Sequence, residues 1–196
     1  MAKVHPNAVV SHTTYHQNIL TPSPLILTVW KKSLLFNCYG FTVFDSNGNL
    51  LFRVDNYSTG TTTQILLMDA CGRSLLTIRR KRLSLLDNWL IYDGETRVNP
   101  RFTVTKRVNL LNKKSLAHVT ATGSKKPTYE IEGSYTRRSC VVYDEKRRRV
   151  AEIKRKEAAV GGVAFGGDVF RLCLLRDDMD PAVAMAIVII LDQMFL

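Results

Sequence analysis

Two runs of basic residues carry the densest chemistry in the chain: Arg79-Arg80-Lys81-Arg82, and Lys146-Arg147-Arg148-Arg149 with Lys154-Arg155-Lys156 close behind it. Guanidinium groups present forked donors that match phosphate oxygens, and ammonium groups act as mobile point charges, so runs of this kind brought together make a site for an anionic ligand. Cations at strand ends also have a plainer use, which is to discourage edge pairing and aggregation. Asp177, Asp178 and Asp180 form the acidic cluster. Several carboxylates attract calcium, but this spacing lacks the EF-hand pattern, and acids just before a helix already serve its N-terminus. Gly161-Gly162 and Gly166-Gly167 are not followed by Lys-Ser or Lys-Thr, so they read as turns and not as a nucleotide loop. His5, His12 and His16 stand in the N-terminal segment and His118 stands alone in a strand-like run, where a structural role suffices. With no GxSxG, HExxH or paired nucleophile and base, the expectation is a protein that is not an enzyme and needs no cofactor.

Composition narrows the partners. Lys and Arg number 28 against 17 Asp and Glu, a formal charge of +11, which favours a polyanion: an anionic membrane lipid surface first, nucleic acid second. A nucleic-acid reader would interleave aromatics with its cations, yet the nearby Trp89, Tyr92 and Tyr143 fall inside strand-like runs. Cys38, Cys71, Cys140 and Cys173 stand far apart with no CxxC pair, which suits reduced, mostly buried thiols. The first fifteen residues contain no apolar stretch of a secretory signal, so the expected location is cytoplasmic, at the periphery of the plasma membrane, or nuclear. Residues 1–23 read as an N-terminal extension and 24–196 as a single domain.

The elements that would position these residues come from a repeat. Phe41-Thr42-Val43-Phe44-Asp45, Ile65-Leu66-Leu67-Met68-Asp69, residues 89–93 and residues 140–144 are each a short apolar run ending in Asp. A turn follows each, and then a second run with an apolar residue nine positions after the Asp. Asp opens such turns by accepting backbone N–H groups, and Gly48, Gly72 and Gly94 supply the positive φ. The fourth copy has Glu145-Lys146-Arg147-Arg148 and no glycine, so a longer or different turn is expected there. Further strands read at 25–30, 33–37, 101–107, 115–120, 128–135 and 169–175. So many hairpins leave edges to hide, and closing the sheet into a barrel hides them.

Residues 181–191 break the pattern. Asp180-Pro181 is a helix start, and the following run, Ala182 to Leu191, has no polar face, so it is buried all round or spans a membrane. About eleven residues reach ~16 Å against the ~30 Å of a bilayer core, and Asp192 interrupts the run, so a core helix is expected and no transmembrane span.

Thr28-Val29-Trp30-Lys31-Lys32-Ser33-Leu34, Gly40-Phe41-Thr42-Val43-Phe44-Asp45 and Gly48-Asn49-Leu50 resemble the plant LURP-one-related family. Arg53-Val54-Asp55-Asn56-Tyr57, Leu67-Met68-Asp69-Ala70, Leu75-Leu76-Thr77-Ile78-Arg79-Arg80-Lys81 and the closing Ile190-Leu191-Asp192 are similar to its most characteristic segments. The resemblance implies a tubby C-terminal-like fold: a closed antiparallel β-barrel of about twelve strands around a hydrophobic C-terminal α-helix. It implies no established activity, although some members are linked to plant defence. The resulting expectation is a non-enzymatic binding or adaptor protein whose basic barrel rim takes an anionic phospholipid, with phosphoinositide headgroups foremost. A nuclear nucleic-acid-associated regulator and a calcium-responsive, scramblase-like lipid-binding protein are the alternatives.

Overall fold

The structure, a computed structural model, describes residues 23–35, 39–56, 64–81, 86–107, 114–156 and 166–196. Within them lie twelve strands and one helix: β1 (Leu25–Trp30), β2 (Tyr39–Phe44), β3 (Leu50–Asn56), β4 (Gln64–Asp69), β5 (Ser74–Arg80), β6 (Asn88–Asp93), β7 (Phe102–Lys106), β8 (Ser115–Ala121), β9 (Tyr129–Ser134), β10 (Ser139–Asp144), β11 (Arg149–Arg155), β12 (Val169–Leu174) and α1 (Pro181–Phe195). Each strand pairs antiparallel with its neighbours in sequence, and β1 pairs with β12, so the sheet is a closed meander with no free edge. The expected barrel around a C-terminal helix is the architecture observed.

Alternation along the strands makes the enclosure. Leu27 and Val29, Phe41 and Val43, Ile65 and Leu67, Ile78, Ile91, Val104, Val119, Ile131, Ile153 and Leu172 are buried and form one apolar cluster with the helix. α1 is buried from Val183 through Asp192 and again at Met194. Burying each Ile or Leu of this helix contributes about 2 kcal/mol relative to exposure. Asp180 caps its first turn, accepting from the Ala182 N–H at 2.8 Å, and Pro181 takes the first helical position, where no N–H is needed.

Three of the four repeats share one turn. Asp45 donates its N–H to the Asn49 carbonyl and accepts from Gly48; Asp69 does the same with Arg73 and Gly72, and Asp144 with Arg148 and Arg147. Just before each Asp the strand register shifts, at Val43/Phe44, Leu67/Met68 and Val142/Tyr143, and such bulges strengthen the twist that barrel closure needs. The turn at Asp144, expected to be longer or of another type, instead has the same span. Arg147 occupies the glycine's left-handed conformation at φ 60°, a state that costs about 1–2 kcal/mol for a residue with a Cβ. Its guanidinium offsets this by pairing with Glu130 and Glu132 at 2.8 and 3.0 Å and lying over the Tyr143 ring. The third copy departs in part: the Thr96 N–H still donates to the Asp93 carbonyl, but the glycine stands one residue after the Asp and not three, and its N–H donates to the Leu75 carbonyl.

Two further expectations are corrected. Of the strand expected at 33–37, the described part, 33–35, is a connection between β1 and β2, where the buried Ser33 hydroxyl donates to Asp55. Asp192 does not end the helix but continues it as a buried carboxylate. The residues 1–22, including His5, His12 and His16, lie outside the described residues, as do Cys38, Gly161 and Gly162.

Because the helix fills the barrel, a chain ending at Met179 should lose cooperative urea unfolding and bind a hydrophobic dye, and a folded monomer would refute this account. Strand crowding is testable separately. A Cβ on Gly40 would stand 1.7 Å from the Val54 carbonyl oxygen, whereas one on Gly48 meets nothing. Gly40→Ala should therefore cost about 3 kcal/mol, and Gly48→Ala only the left-handed penalty of about 1–2 kcal/mol, read from urea midpoints.

Candidate functional site

An antiparallel meander sends every odd-numbered strand toward the same end of the barrel, and the charges partition accordingly. The opposite end, where these strands begin, carries the hairpin turns, and several of its arginines are paired with aspartates. Arg73 binds Asp69 at 2.6 Å, Arg148 binds Asp144 at 2.5 Å and Asp178 at 3.5 Å, and Arg101 bridges Asp93 and Asp180 at 3.3 and 3.2 Å. The Asp45 carboxyl is held below its usual range by the Asn49 side-chain amide and the turn's N–H groups, and that of Asp69 chiefly by the Arg73 N–H. Of the run Lys146-Arg147-Arg148-Arg149, the last three are thus engaged locally, Arg149 with Glu152. This run sits at the start of β11, away from Lys154, Arg155 and Lys156 at its end. Asp178 and Asp180 are tied to arginines, and no three His, Cys, Asp or Glu among the described residues are arranged to hold a metal ion, so no calcium ligand set forms with Asp177 there.

The other end differs. Here stand Lys31 and Lys32 after β1, Arg79, Arg80 and Lys81 on and after β5, Lys106 and Arg107 at β7, Arg137 and Arg138 between β9 and β10, and Lys154, Arg155 and Lys156 at β11. The carboxylates at this end, among the described residues, are Asp55, Asp87, Asp168 and Asp192. Three of them are neutralised, by Arg53 at 2.7 Å, Arg80 at 2.9 Å and Lys31 at 3.1 Å respectively. Arg79-Arg80-Lys81, directly after the apolar residue nine positions past Asp69, and Lys154-Arg155-Lys156, directly after the one nine past Asp144, therefore share one rim, but β5 and β11 are six strands apart in a ring of twelve, so they face each other across the mouth. Arg82 lies outside the described residues.

The helix C-terminus emerges at this basic mouth, where its free carbonyls concentrate negative potential. The helix carries no cation in its last turn, and the strands supply them. Lys106 donates to the Met194 carbonyl at 2.6 Å and covers the Phe195 ring, while Asp192 accepts from Tyr135 at 3.2 Å. Burial first, and the Asp192 charge second, push the Tyr135 hydroxyl's pKa upward, which keeps it a donor. Around the same mouth the exposed apolar side chains are Trp30, Leu34, Tyr39, Leu86 and Leu196. Trp89 and Tyr92, by contrast, are buried core, and His118 is a half-buried strand residue whose pKa is pushed down by burial and then by Arg107.

Sequence reasoning missed a third basic locus. On the outer wall a cleft of about 530 Å³ runs between β1, β12, β11 and the start of β10, and Arg137, Arg138, Lys154, Arg155 and Arg171 line it. Arg171 was not visible as part of any run because it stands alone on β12, opposite Lys154 only by register.

The ion pair with Lys31 and the hydrogen bond from Tyr135 anchor the helix end through Asp192, so Asp192→Ala, which leaves both without their acceptor, should destabilise the fold by about 3 kcal/mol. Equilibrium urea unfolding reads this.

A family model described as LURP-one-related matches residues 25–192. Protein LURP-one-related 8 of Arabidopsis thaliana is 54% identical over 199 residues, covering 100% of this chain and 98% of that protein. Protein LURP-one-related 17 of the same plant is 46% identical, covering 86% of this chain and 82% of its own. An X-ray structure of another Arabidopsis thaliana protein superposes with a TM-score of 0.66 at 26% identity, over 89% of this chain and 93% of the other.

Proposed function

This chain belongs to the LURP-one-related family, and we propose that it is a non-enzymatic binding protein that docks on anionic phospholipid surfaces through the end of the barrel where the helix C-terminus emerges. The observation that carries this reading is the asymmetry between the two ends. One end balances its cations with turn aspartates; the other joins cations in excess of its carboxylates to exposed Trp30, Leu34, Tyr39, Leu86 and Leu196. Each cation held near an anionic leaflet contributes about 1 kcal/mol. Aromatic and aliphatic side chains at the same level settle into the headgroup boundary, where Trp and Tyr are at home. No helix among the described residues is long and apolar enough to cross a membrane, and docking by one rim requires none.

Arg79 and Arg155 make no ion pair among the described residues, so their charges are available to a partner. Co-sedimentation with phosphatidylcholine vesicles, with and without phosphatidylserine, tests the reading. Binding should require the anionic lipid, weaken as salt rises past about 0.15 M, and fall at least tenfold in Arg79→Glu/Lys81→Glu/Arg155→Glu with the melting temperature retained. Equal binding to neutral vesicles, or tighter binding to duplex DNA at matched salt, would overturn it.

A further inference from the structure

We propose that the outer-wall cleft between β1, β12, β11 and the start of β10 is a selective site for a small, multiply phosphorylated anion. This deepens the reading of the basic end as anion-binding by naming a ligand class and a place for it. The cleft's volume, about 530 Å³, lies within the range of small-molecule sites and far exceeds what one phosphate group fills.

Its cations are not balanced from within. Glu152 is the carboxylate in the lining, 1% exposed, and it is already paired to Arg149 and Lys154. Arg137, Arg155 and Arg171 have no ion pair among the described residues. The strand register sets Lys154 beside Arg171 on one side and Ser139 on the other. Like charges opposed on neighbouring strands repel and destabilise the sheet, a cost that a bound polyanion reverses.

Arg138 makes this a built site and not only a charged wall. It is 5% exposed and sits in the left-handed region at φ 50°. Its guanidinium lies 4.3 Å from the Tyr135 ring and 4.2 Å from the Phe170 ring, and its Nε donates to the Gly167 carbonyl at 3.0 Å. That leaves Nη1 buried with no hydrogen-bond partner among the described residues. A buried donor without an acceptor is costly, and non-glycine residues held at positive φ gather at ligand sites. A phosphate oxygen supplies the missing acceptor to a guanidinium whose orientation stacking has already fixed. Ile26 and Leu175 give the cleft an apolar wall for the part of the ligand that carries no phosphate.

The test titrates the full chain with soluble inositol trisphosphate and with inorganic pyrophosphate by calorimetry. Saturable trisphosphate binding is expected, at least tenfold tighter than pyrophosphate. In Arg155→Ala/Arg171→Ala, which removes two exposed side chains, it should weaken at least tenfold with an unchanged melting temperature. Arg138→Lys, which keeps the charge but loses the stacked fork, should weaken it as well. Competition by vesicles carrying phosphatidylinositol bisphosphate would assign the site to a lipid headgroup, and binding indifferent to such vesicles would assign it to a free anion; both support the site. No saturable binding of either soluble anion, or binding undiminished in the double variant, would overturn it. If phosphatidylserine vesicles still bind while trisphosphate does not, the cleft proposal falls and surface docking stands.

Discussion

A helix with no polar face has to be enclosed on every side, and the rest of this molecule answers to that requirement. From Val183 to Leu191 every residue of α1 is buried. A single sheet covers one face of such a helix, so the sheet must close, and closing it in register demands that β1 meet β12 antiparallel, which an even number of meandering strands satisfies. Closure also removes the edges that a long run of hairpins would otherwise expose. Enclosure on all sides is thus both the source of the core's stability and the reason none of the described strands is left with a free edge for pairing with another chain.

The same geometry sorts charge. Because neighbouring strands alternate in direction, all the short Asp turns fall at one end and the starts and ends of the basic strand tips at the other. The turn end is neutralised by contacts within each hairpin, as Arg148 with Asp144 shows. At the mouth, carboxylates among the described residues are drawn into work on the fold: Asp192 holds the helix end, and Asp55 holds Ser33 and Arg53. What remains is a positive end that meets the negative pole of the helix. Lys106 and Lys31 satisfy that pole, while Arg79, Arg137, Arg155 and Arg171 are left facing outward.

Much of the barrel was legible because its signals are local. Alternation of apolar residues, Asp at turn starts and glycine at positive φ each act over a few residues, and they marked the hairpins correctly. Local signals failed where a distant partner changes the cost. Arg147 takes a glycine's conformation because Glu130 and Glu132 on β9 hold its guanidinium. Asp192 sits within an apolar helix because Lys31, on the far side of the sequence, reaches it. Ser33 leaves a strand-like run because Asp55 accepts its hydroxyl.

By itself, the sequence determined the hairpins, the Asp that opens each turn and the buried helix, since each follows from patterning and from groups a few residues apart, and it determined the excess of positive charge. The tertiary structure alone decided where that charge acts. Sequence adjacency joined Lys146, Arg147, Arg148 and Arg149 to Lys154, Arg155 and Lys156, but a strand's length carries them to opposite ends of the barrel. Arg138 and Arg171, inconspicuous in the chain, come to line one cleft with Lys154 and Arg155, because register across three strands, and not separation along the chain, sets which side chains meet.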